Sequence, residues 1–153
     1  MKVTPPLKES LRTSLHHVSQ FPDLSQRFDV FKQELAGLAD RLSSYGIKAP
    51  RNTRLAQDIY ALRNNILGHR RAMKTIVIEM NSAYNRINRS GYVAVAQPIL
   101  TMRDGETIHN RTPEREALML VTGFDAQWGR LNGMWNEGMG FLEQVDYLGN
   151  CCR

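Results

Sequence analysis

A disulfide framework and a cysteine-based zinc site are both ruled out by shortage. The chain has two cysteines, Cys151 and Cys152, and they are neighbours at its end. Adjacent cysteines rarely pair with each other, and two ligands on a tail do not close a tetrahedral metal site. No apolar run approaches the roughly 18 residues that span a bilayer. The first ten residues, MKVTPPLKES, carry a lysine but no apolar stretch and no small-residue cleavage site, so a secretory leader is not expected and the chain reads as cytoplasmic. Glycine-rich phosphate loops, a serine elbow, His-Glu-x-x-His and Cys-x-x-Cys are missing too. No cofactor is expected and no metal site is assigned. His16-His17 and His109 have no partner at ligand spacing.

Acidic residues are scarce in one region only. Between Arg41 and Ile78 there are eight basic residues and a single acid, Asp58; from Asp104 to Tyr147 there are eight acids and three arginines. One part of the molecule therefore suits a polyanion and another does not, a sharper statement than the net charge of +5. Arginine outnumbers lysine fifteen to five, and its planar fork matches phosphate better than a point charge does. Asp58, alone in the basic run, reads as an ion-pair partner.

What remains is helical periodicity. At 153 residues the chain suits one helical domain spanning 1–153. A first helix is expected after Thr4-Pro5-Pro6, running to about Ser19, with Leu7, Leu11, Leu15 and Val18 on one face and Phe21-Pro22 as its stop. A second starts at Asp23 or Ser25, repeats Phe28, Phe31, Leu35, Leu38 and Leu42, and ends at Tyr45-Gly46. The third carries Leu55, Ile59, Leu62, Ile66, His69, Met73, Ile76 or Val77, Met80, Tyr84 and Ile87 at spacings of three and four, as one helix or as two joined near Gly68. A fourth opens at Thr112-Pro113-Glu114 and aligns Ala117, Val121, Phe124, Trp128, Leu131, Trp135, Gly138, Leu142 and Val145. Its tryptophans read as core or dimer-interface residues, and Gly129 and Gly133 as places where another backbone comes close. Between the third and fourth, Tyr92 to Val95 looks strand-like, and Asp104-Gly105 separates two short β-prone runs, a hairpin signal. The expected fold class is all-α: a four-helix up-and-down bundle with a short β-hairpin or ordered loop inserted before the last helix.

Residues 62–71 read LRNNILGHRR and interrupt the apolar stripe of the third helix with groups that are costly to bury unsatisfied. At 100° per residue, Arg63 and His69 flank the same apolar seam, about 9 Å apart along the axis, too far to grip one phosphate oxygen from rigid positions. A break at Gly68, or a two-fold axis along the seam, would bring them together. Cleaving RNA without a metal needs a proton acceptor, a proton donor and fixed positive charge. Histidine titrates near neutrality, and a guanidinium stays charged.

The segment from Arg63 through Asn64 to His69 resembles the signature of the HEPN superfamily of small all-helical proteins: arginine, a polar residue, then histidine after four to six intervening residues. Here there are five. The resemblance implies a metal-independent endoribonuclease, a toxin or antiviral abortive-infection factor, with a composite active site of Arg63, Asn64 and His69 at a homodimer interface. Arg51, Arg54, Arg70, Arg71 and Lys74 would hold the RNA backbone. A toxin of this kind implies an inhibitory protein partner, an antitoxin, acidic where it covers residues 51–74. In an undistorted helix Asn64 points away from the seam. The competing reading is a non-enzymatic helical interaction protein, an inhibitor, adaptor or degenerate HEPN-like scaffold binding protein or RNA, in which His69 is a satisfied core histidine.

Overall fold

The computed structural model describes residues 1–108 and 112–152. Thr4 opens helix α1 (Pro5–Lys48): its Oγ1 accepts the Leu7 N–H at 3.2 Å, and the two prolines occupy the first turn, where no N–H is needed. Thr53 does the same for α2 (Arg54–Arg89), accepting the Ala56 N–H at 3.2 Å and donating to the Pro50 carbonyl at 2.7 Å. A five-residue helix α3 (Tyr92–Ala96) and a 3₁₀ turn (Gln97–Thr101) follow, then α4 (Thr112–Met139) and α5 (Phe141–Cys151). The all-α class holds, with four helices of eleven residues or more, as expected. None of the described helices is long and apolar enough to cross a membrane.

Two boundaries lie elsewhere. α1 continues through Pro22, where a stop was expected. An interior proline costs about 3 kcal/mol through its lost hydrogen bond and its clash with the preceding turn. Phe21 and Leu24 on either side are buried, and with Val18 and Phe28 they keep the three-and-four spacing unbroken. Burying two such side chains contributes about 1.5–3 kcal/mol each, enough to outweigh the proline. The expected fourth helix instead divides at Gly140, whose N–H turns back to the Glu137 carbonyl at 3.1 Å.

Among the described residues there is no β-hairpin. Tyr92, Ala96 and Ile99 are the buried residues of residues 92–101, a spacing of four and three, so the segment is helical despite its valines. Pro98 fits the first turn of the 3₁₀ stretch. Asp104-Gly105 does make a turn, with the Glu106 N–H donating to the Arg103 carbonyl at 3.1 Å. A two-residue hairpin of the favoured type needs positive φ at both central residues, and here only Gly105 has it, at 89°. The chain beyond the turn pairs with the N-terminus instead: Val3 N–H reaches the Glu106 carbonyl and Ile108 N–H the Met1 carbonyl, each at 2.8 Å. Lys8 holds Asp104 at 3.2 Å, so the stretch is an ordered loop.

The chain folds as two compact units, Met1–Leu24 with Ile76–Arg130, and Ser25–Thr75 with Leu131–Arg153. In the first, Phe21 packs on Tyr84 and edge-on against Phe124, while the Tyr92 hydroxyl donates to Glu116, a bond that raises the phenol above its ordinary pKa. His17 lies flat on Trp128 and shares a 2.5 Å hydrogen bond with Asp125. In the second, Trp135 stacks on Phe31 with ring centres 4.7 Å apart. Arg41 donates to Asp146 at 2.6 Å and to Tyr45 at 3.0 Å, bonds that raise its pKa further.

Gly129 and Gly133 sit in open space and mark no close approach, because they face solvent. On α4 the tight position is Gly138, where a Cβ would lie 2.9 Å from the buried Phe31 ring. Gly133→Ala is expected to stabilise the fold by about 0.5–1 kcal/mol through helix propensity. Gly138→Ala should destabilise it by about 1 kcal/mol, since overpacking of about 1–3 kcal/mol exceeds that gain. Paired urea melts giving the same sign for both variants would refute the assignment.

Candidate functional site

α2 is unbroken at Gly68, so Arg63 and His69 stay on a regular helix, six residues and about 120° apart. That angle sends them to different neighbours. The Arg63 Nε–H donates to Ser43 Oγ of α1 at 2.8 Å, and the half-buried guanidinium closes one end of a groove between α1 and α2. His69 turns to α4. Its Nε2 lies 2.5 Å from the Met134 carbonyl, and because a carbonyl only accepts, Nε2 carries the proton. Phe141 meets the imidazole edge-on at 5.2 Å, a Cβ on Gly138 would lie 3.5 Å from Cδ2, and the side chain is 8% exposed. Only Nδ1 remains, 3.9 Å from the exposed Glu137 carboxylate.

Asn64 is exposed on the outer surface of α2, away from both. Within one copy of the chain, then, the structure does not gather Arg63, Asn64 and His69 around one point. The expected backbone-binding residues also separate. Arg71 and Lys74 are exposed, and Arg70 is half-buried, its Nε–H donating to the Lys32 carbonyl at 3.1 Å. Together they form a basic face on the middle of α2. Arg51 precedes that helix and Arg54 begins it, sixteen residues and about 24 Å along the axis from Arg70. Arg54 approaches Asp58 at 3.9 Å one turn on, the ion pair expected of that acid, and an exposed pair of this kind contributes little.

Sequence reasoning found His69 but missed its carbonyl partner, which lies 65 residues away in the chain. It also missed the His17–Asp125 pair, 108 residues apart, for which no local pattern exists. His109 lies outside the described residues. Among the described residues no cluster of three His, Cys, Asp or Glu side chains could hold a metal ion. No protein-family model matches the chain, nor does any curated protein or solved structure.

Proposed function

We propose that this protein is a non-enzymatic, HEPN-like helical scaffold that binds RNA through the basic outer face of α2. One observation supports it: the same helix turns its imidazole inward, onto the Met134 carbonyl, and its Arg71 and Lys74 outward. A proton-transfer group must reach the hydroxyl it serves. His69 is committed to a carbonyl at Nε2 and packed edge-on against Phe141, its side chain is 8% exposed, and Nδ1 faces the Glu137 carboxylate of its own chain. Two exposed cations and the half-buried Arg70 are what phosphate binding requires, and such pairing fixes position without reading sequence.

Fluorescence anisotropy with a labelled single-stranded RNA of about 20 nucleotides tests this reading. Arg71→Glu with Lys74→Glu is expected to weaken binding at least tenfold. It should also flatten the dependence of log affinity on log salt by about 1.4, or about 0.7 for each of the two phosphates no longer neutralised. The RNA should remain intact over hours. Cleavage by the native protein that His69→Ala abolishes would replace this reading with the endoribonuclease of the toxin or antiviral type, its site completed by a partner copy. Absence of any RNA binding would leave the protein-binding adaptor.

A further inference from the structure

The end of α1 and the start of α2 carry a groove of about 380 Å³, with Leu42, Ile47, Ile59 and Tyr60 as its apolar walls and Arg63 at one end. Ile47 is 88% and Tyr60 65% exposed, so the fold leaves a large apolar surface and one aromatic ring in water. Polar groups beside them are uncommitted. The Arg63 Nε–H is taken by Ser43, and its two terminal amino groups meet no acceptor among the described residues. Lys48, the last residue of α1, and Arg51, in the turn before α2, likewise have no ion-pair partner among the described residues. The occupant that suits this groove has a flat apolar body, an acceptor at its edge and negative charge beside it.

Helical geometry joins the groove to the basic face. Counting 100° per residue from Tyr60, Arg71 lies about 20° to one side and Lys74 about 40° to the other. All three are exposed, so one strip of α2 carries the tyrosine and, about 17–21 Å further along the axis, the two cations. We propose that the groove seats one unpaired base of the RNA held by that face, the base stacking on Tyr60 while Arg63 donates to an acceptor on its edge. The size fits: small-ligand sites span about 300–1,000 Å³, and a groove near the lower end takes one base and not a longer segment. A base inside a duplex has both faces covered and cannot enter, whereas a single strand offers a free face. Every base has a π-face, so the groove selects strandedness and not sequence.

This inference rests on the RNA-binding reading, and the same anisotropy assay separates the two by comparing the single strand with a blunt duplex of equal length. Tyr60→Ser should weaken binding of the single strand by about fivefold or more while hardly changing affinity for the duplex. Its salt dependence should match the native one, because no phosphate contact is lost. Tyr60→Phe, which keeps the ring, should bind as the native protein does. Both variants should melt at the native temperature, since the side chain is largely exposed. A Tyr60→Ser variant that holds the single strand as tightly as the native protein overturns the base pocket and leaves the basic face in place, as does one that loses single strand and duplex alike. A native protein that binds no RNA overturns both. Light scattering covers the other occupant: a native mass near twice 17.5 kDa that Tyr60→Ser halves, with RNA affinity unchanged, would assign the groove to a second copy and overturn the base pocket too.

Discussion

His69→Ala is expected to lower the stability of the protein by about 2–4 kcal/mol and to leave its affinity for RNA within twofold of the native value. The cost has two parts. Removing a largely buried ring leaves a cavity beside Phe141 and Gly138, about 1–3 kcal/mol, and losing the Nε2–H removes a hydrogen bond to the Met134 carbonyl, about 0.5–1.5 kcal/mol. For a chain of this length the melting temperature should fall by roughly 5–15 °C. His69→Gln, which offers an N–H toward the same carbonyl, should recover part of the loss. A catalytic histidine behaves in the opposite way, since its removal ends turnover while the fold hardly changes. Thermal melts and RNA titrations on the same preparations separate the two, and an alanine variant as stable as the native protein would show that the ring does no structural work.

The outcome at His69 was half visible in the sequence. Counting 100° per residue along α2 places His69 about 40° from the centre of the apolar seam and Arg63 about 80° to the other side, so a regular helix already implies that they diverge. The structure follows that count, because Gly68 neither kinks the helix nor packs against a neighbour. The count leaves open what lies opposite, and a carbonyl on α4 leaves no local trace. The extent of α2 was legible from a period of three and four sustained over eight turns, whereas its continuity at Gly68, as one helix and not two, was left open. Residues 92–101 were not. Two valines and a tyrosine favour strands locally, but the burial of Tyr92, Ala96 and Ile99 is set by the surrounding helices. Gly129 and Gly133 were misjudged as places of close approach, whereas Gly138, already on the apolar stripe, is the one that meets a neighbour, the Phe31 ring.

Phe21→Ala should bring the largest loss, about 3–5 kcal/mol, which for a domain stable by about 5–15 kcal/mol leaves little margin. The side chain is 1% exposed and lies against Tyr84 and Phe124, so the vacated space cannot refill easily. Its position before Pro22 makes the effect informative. The proline removes a hydrogen bond and crowds the preceding turn, and α1 stays continuous because Phe21 and Leu24 anchor both sides of the lesion. Pro22→Ala should therefore stabilise the native protein by about 1–3 kcal/mol, and Phe21→Ala should cost less in that background than in the native one. The two positions are neighbours, so coupling of this sign is what a shared burden on one turn produces. Urea denaturation of the four proteins measures it. Strict additivity, or a Pro22→Ala variant weaker than the native chain, would mean that the packing around Phe21 is not what carries the helix across its proline.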